Sequence, residues 1–275
     1  MLAIQIEKNR FLMDSTNGSI PPMKLRNRST VTILGVQIDR ITIENAVDTI
    51  EEMIKYQNKH LIVPVNPEMI MTAQHNPEFL RAINNASLAL PDGIGVIWAS
   101  RLYGTPIETR ITGVDTVQSV AQHAAKHGYR IFFLGAAEGI ADQAAQKLQR
   151  QYPGLTIAGT YAGSPRPEEE QDICQKINDA RPHILFIAYG APKQELWITR
   201  NFHKLHVPVA MCVGGTFDFI AGEVTRAPRW VQSIGCEWLY RLANEPRRWR
   251  RMIALPRFTV AVIVNALSRS VGDHR

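Results

Sequence analysis

The sequence predicts an α/β fold: a mostly parallel sheet with helices on both faces, followed by a small helical C-terminal appendage. Three observations lead there. Strand-like and helix-like segments alternate from Thr30 onward, the pattern of parallel strands joined by helical crossovers. Runs such as IFFLG and ILFIAYG are apolar without a period of two, as strands covered on both faces are. Small residues, chiefly glycine, follow four of the strands.

Residues 1–29 show no sustained periodicity and contain breakers at Ser15–Gly18 and Pro21-Pro22, so they read as a poorly ordered extension. The α/β body is expected over 30–222. Its strands fall at Val31–Ile38, His60–Val65, Ser87–Leu90, Arg130–Leu134, Leu155–Thr160, His183–Ala188 and Val207–Val213. The helical patterns between them are Ile43–Tyr56, Pro67–Asn85, Gly93–Arg101, Asp115–His127, Gly139–Gln151, Pro167–Ala180 and Pro192–Leu205. From Arg226 the character changes to arginine and tryptophan, and 223–275 reads as a basic appendage of short helices broken near Pro246 and Pro256.

The 275 residues carry a net charge of +6. The ten arginines and four acids from Glu223 onward account for all of it, so an electrically balanced body ends in a cationic piece. That distribution suits an anionic partner met at one end. Cys174, Cys212 and Cys236 match neither a zinc template nor a disulfide framework. The longest apolar run, Phe258–Leu267, falls short of a bilayer span, and Met1–Arg10 does not resemble a signal peptide. A cytoplasmic protein is expected.

The strand ends point to the site, because ligands of open α/β sheets bind beyond the carboxyl ends of the strands. Asp92, in Leu90-Pro91-Asp92-Gly93, is placed either as a general base or as a helix N-cap. Gly135 and Ala136 begin a turn that lacks the full dinucleotide fingerprint, and it is either a phosphate contact or an ordinary turn. In Gly190-Ala191-Pro192-Lys193-Gln194, the lysine and glutamine face either a ligand or solvent. Gly214, Gly215 and Asp218 form either an anion-binding turn or a helix-opening loop. No DxD is present and no histidine pair has HExxH or HxH spacing, so neither a metal nor a cofactor is expected. Arg241, Arg248 and Arg251 would cover about 80° of one face were the stretch a single helix. Nucleic acid as a partner would leave the glycine-lined sheet edge and Asp92 without a role, and is set aside. Whether copies of the chain form a homo-oligomer is left open.

Taken together, LPDGIGV, FLGAAEG, AYGAPKQE, VGGTFDFIAG, RAPRWVQ and EWLYRLANEPRRWRRM resemble the WecB/TagA/CpsF glycosyltransferases (glycosyltransferase family 26), from about Thr30 to Phe258. The resemblance implies a Rossmann-like fold and an inverting, metal-independent transfer. The donor would be UDP-N-acetylmannosamine or a related UDP-hexose or uronate. The acceptor would be a polyprenyl-diphosphate-linked sugar of teichoic acid, common antigen or capsule synthesis. By similarity Asp92 matches the base and Gln194 a substrate-contacting residue, while Asn66 and Glu68 match an Asn-x-Glu segment. Gly93 belongs to the same matching motif as Asp92. Arg241, Arg248 and Arg251 match arginines of an appendage that closes over the site at the inner leaflet of the cell membrane. Where some relatives carry Thr-Pro-Asn, this chain has Pro64-Val65-Asn66, so the hydroxyl is missing.

Overall fold

A computed structural model describes residues 29–56 and 58–272. Apart from Ser29, the extension expected over 1–29 lies outside the described residues.

The chain opens with a hairpin, β1 (Thr30–Ile33) and β2 (Val36–Asp39), where a single strand was expected. Leu34 and Gly35 both take positive φ, 47° and 81°, which is what a two-residue hairpin turn requires. Helix α1 (Ile43–Tyr56) leads to β3 (His60–Val65). The expected helix Pro67–Asn85 is two helices, α2 (Pro67–Ala73) and α3 (Pro77–Asn84). Pro77 cannot continue α2, and the Asn76 side chain caps α3 by accepting from the Phe79 N–H at 3.0 Å. Then follow β4 (Leu88–Pro91), α4 (Ile94–Leu102), α5 (Gly113–His127), β5 (Arg130–Gly135), α6 (Ile140–Gln151) and β6 (Thr156–Tyr161). The body closes with α7 (Glu170–Ala180), β7 (Ile184–Ala188), α8 (Lys193–Asn201), β8 (Val209–Cys212) and α9 (Thr216–Ala221).

β3 to β8 form one parallel sheet in the order β4-β3-β8-β7-β5-β6. Alternate residues of its strands feed two cores. Val63, Phe132, Leu185 and Ala210 face α2, α3, α7 and α8; Ile62, Phe133, Phe186 and Met211 face α1, α5, α6 and α9. Both faces are covered, which explains runs without a two-residue period. The hairpin covers the outer edge at β4, where the buried Asp39 carboxylate accepts from the Ala89 N–H at 2.6 Å. An unpaired strand edge is thereby partly satisfied.

After Gly222 come α10 (Arg229–Ser233), α11 (Glu237–Asn244), a 3₁₀ turn at Pro246–Arg248, α12 (Trp249–Met252) and α13 (Ala254–Gly272). Pro246 breaks the chain as expected; Pro256 does not. It sits in the first turn of α13, where a missing N–H removes no helical bond. The stretch Trp249–Arg269 is therefore long and apolar enough, at 21 residues and a mean hydropathy of 1.3, to cross a membrane by length and composition. The sequence reading missed this by counting only the uninterrupted apolar run. α13 packs on α2 and α4 and sends Phe258 and Val262 into the same core as β3 and β5.

Candidate active site

The carboxyl ends of β4, β3, β8 and β7, adjacent in the sheet, open into one cavity of about 620 Å³. That volume lies within the usual range for small-ligand sites. α13 and the arginine-rich segment cover its far side.

Asp92 sits at the end of β4, held by its N–H donating to Val65 O at 2.9 Å. It does not cap α4. Gly93 is the N-cap residue, with φ of 90°, and no side-chain cap bond is made. Glycine is favoured there because its positive φ strains any other residue, and an added Cβ would sit a tight 3.3 Å from Pro67 Cδ. The Asp92 carboxyl is left facing the cavity. Burial pushes its pKa up to about 7, although Arg110, the strongest opposing influence, pulls it down. A carboxylate poised near neutral pH in a cleft suits proton transfer.

Asn66, Glu68, Gly93, Gly190, Gln194, Gly214, Gly215, Arg241 and Arg251 line the same cavity as Asp92. Asn66 also caps α2, accepting from Met69 N–H at 3.0 Å. Pro64 presents an apolar wall where the hydroxyl was noted as missing. Arg241 lies with its guanidinium carbon 4.6 Å from the Phe219 ring centre and donates to Glu245 at 2.9 Å. Because the helix breaks at Pro246, Arg241 and Arg251 reach the cavity from separate helices and not from one face. The Arg248 side chain lies outside the described residues.

Gln194 has its polar atoms committed inside the protein. Its Oε1 accepts from the N–H groups of Gly190 and Gly214, both at 3.1 Å, and its Nε2 donates to Glu195 Oε1 at 2.8 Å. It clamps two loops together, and the amides of Gly190 and Gly214 are occupied by it. Glu195 beneath is fully buried, and burial pushes its carboxyl up to about 7.

Four sequence candidates do not line the cavity. Gly135 ends β5 and Ala136 follows it, and β5 lies beyond β7 and away from the opening. The missing side chain of Gly135 serves packing, because a Cβ would come within 2.8 Å of the Ala188 backbone. Lys193 points to solvent from the first turn of α8. Asp218 is half-buried at the rim, its carboxyl raised by burial and opposed by Arg241.

Sequence reasoning missed an ionic network on the cavity wall. Arg226 donates to both Asp115 oxygens, at 2.6 and 2.9 Å, and lies 3.4 Å from Glu237. Arg110 stands 3.3 Å from the other Glu237 oxygen. Thr112 caps α5 and donates to Asp115 at 2.6 Å. Burial pushes Asp115 up, but the bonds from Arg226 and Thr112 hold it below the usual carboxylate range. The Thr112-x-x-Asp115 capping pattern was the one available signal. Arg110 stands in a loop without any. Arg250 and Arg257 also line the cavity.

A model of the glycosyl transferase WecG/TagA/CpsF family matches residues 31–272. Among curated proteins, an N-acetylglucosaminyldiphosphoundecaprenol N-acetyl-beta-D-mannosaminyltransferase of Bacillus spizizenii is 38% identical over 208 residues, covering 75% of this chain and 80% of its own. Proteins of the same name from Bacillus subtilis and Staphylococcus aureus are 33% and 31% identical. They cover 76% and 84% of this chain, and 84% and 91% of their own.

Proposed function

The chain belongs to the glycosyl transferase WecG/TagA/CpsF family, and from that premise we propose that it transfers an N-acetylmannosamine-type sugar from a UDP-sugar to a polyprenyl-diphosphate-linked sugar. The observation that carries this reading is one cavity uniting Asp92, a carboxyl titrating near neutrality, with the guanidinium groups of Arg110, Arg241, Arg250, Arg251 and Arg257. Asp92 takes the proton of an acceptor hydroxyl as its oxygen attacks the anomeric carbon from the side opposite the diphosphate. The new C–O bond forms as the bond to the β-phosphate breaks, configuration inverts, and UDP departs. Arginine forks match phosphate oxygens and offset the charge that builds on the leaving group without a metal. With the Gly190 and Gly214 amides occupied, the arginines are the better placed phosphate partners. The acceptor's lipid brings the cavity to the inner face of the membrane, where the protein associates peripherally.

The test is turnover with UDP-N-acetylmannosamine and a short-chain lipid-diphosphate-N-acetylglucosamine, followed by mass spectrometry, with product anomer read by NMR. Asp92→Asn is expected to lower kcat by about 10²–10⁴-fold while the fold is kept. EDTA is expected to leave wild-type turnover unchanged. Wild-type turnover in the asparagine variant overturns the mechanism.

A further inference from the structure

At the opposite end of the sheet from the cavity, the last two turns of α5 carry His123 and His127. Four residues apart, they share one face of the helix, and that face meets Glu51 of α1. One ligand atom from each of the three residues lies within 4.8 Å of the other two. His123 Nε2 is 3.0 Å from Glu51 Oε2, yet it is buried and makes no aligned hydrogen bond. His127 Nδ1 is 2.9 Å from the His123 carbonyl oxygen. A carbonyl can only accept, so Nδ1 carries the proton and Nε2 is the nitrogen left to bind a ligand. Metal-bound histidines are commonly oriented by just such a bond from the second nitrogen. The two rings stack with centres 4.0 Å apart.

We propose that Glu51, His123 and His127 form a binding site for a divalent transition-metal ion of the zinc class, stapling α1 to α5. Two imidazoles and a carboxylate are a zinc donor set, whereas calcium and magnesium prefer oxygen alone. Bonds of about 2.0–2.2 Å require the three ligand atoms to draw together by an ångström or so. The half that must move is free to do so: His127 is exposed, and Lys55, which holds the other Glu51 oxygen at 2.6 Å, has a side chain 62% exposed. Glu51 stands 72 residues before His123, so no local motif announced the set.

The experiment uses the full chain without a histidine tag, stripped by chelator and titrated with zinc chloride in a calorimeter, with thermal unfolding in parallel. One saturable equivalent and a rise in Tm are expected, with none from magnesium chloride. His127→Ala, at an exposed position, is expected to weaken zinc binding by at least about tenfold, as loss of even an outer-shell partner does. Glu51→Gln is expected to do the same, and sugar transfer by the metal-free His127→Ala protein is expected to match wild type. Absence of saturable binding by the wild-type protein, or wild-type affinity in both variants, overturns the site.

Discussion

Asp92 is useful because its surroundings are poor for charge, and that has a measurable cost. Its carboxyl titrates near 7 in the fold and near 3.8 in the open chain. Between those values the folded state holds a proton that the unfolded state has lost. The stability due to protonated Asp92 is therefore complete below pH 4 and disappears as pH rises through about 7. Asp92→Asn is expected to be more stable than wild type at pH 8 by on the order of a few kcal/mol, with the gain vanishing toward pH 4 in urea titrations. Activity runs the other way, because the base must be ionised, so turnover should climb with pH through about 7. Arg110 supplies the largest pull against burial. In Arg110→Gln that limb of the pH–rate profile is expected to move to higher pH; an unmoved limb would show that Arg110 does not tune the carboxyl. Gln194→Leu strips two loop amides of their acceptor, at roughly 1–3 kcal/mol for each donor left unmet, read as a lowered urea midpoint. Asp92 was legible because it ends an apolar strand in a turn motif. Arg110 was not, since a loop arginine gains meaning only from Glu237, which is distant in sequence and adjacent in the fold.

Single elements show where sequence patterns run out. The β–α alternation was plain because both faces of the sheet are apolar and helices carry a 3.6 period. The hairpin was read as one strand since Leu34-Gly35 lacks the usual Asn or Asp, and α2–α3 as one helix since the period persists across Asn76-Pro77. α5 joins two distant features: its capped N-terminus borders the cavity through Thr112, and its C-terminal turns carry the histidine pair. α13 is the clearest departure. Read as part of a separate appendage, it is anchored in the body by Phe258, 2% exposed and placed so that a Cβ added at Gly95 would meet its ring at 3.5 Å. Phe258→Ala is expected to cost about 3–5 kcal/mol and to lower the single unfolding transition of the whole chain. A normal midpoint, or a separate early transition for the C-terminal part, would mean the helix is not part of the cooperative core.

At the scale of the whole molecule, charge and apolar surface coincide. The excess positive charge lies after Gly222, and so do Trp230 at 68% exposure, Trp249 at 55%, and a stripe on α13 of Val260, Val264 and Leu267, each above half exposed. Aromatics and arginines beside an apolar stripe suit a helix lying in the membrane interface. Only 17% of its apolar window is buried, so most of the stretch faces outward, while Phe258 and Val262 tie its other face to the body. Spanning a bilayer would pull those two residues out of the core, whereas lying on the surface would not. Deleting everything after Gly222 removes part of the core along with the charge, and so cannot isolate the surface. Val264→Ser with Leu267→Ser leaves the buried face intact. The double variant is expected to bind phosphatidylglycerol-containing vesicles roughly tenfold or more weakly, since each exposed side chain contributes on the order of 1 kcal/mol on burial. Wild-type binding should fall as salt shortens the screening length. Turnover on a water-soluble acceptor should be unchanged, and turnover on a vesicle-bound one should drop with the binding. Binding that ignores both salt and the substitutions would place the membrane contact elsewhere on the molecule.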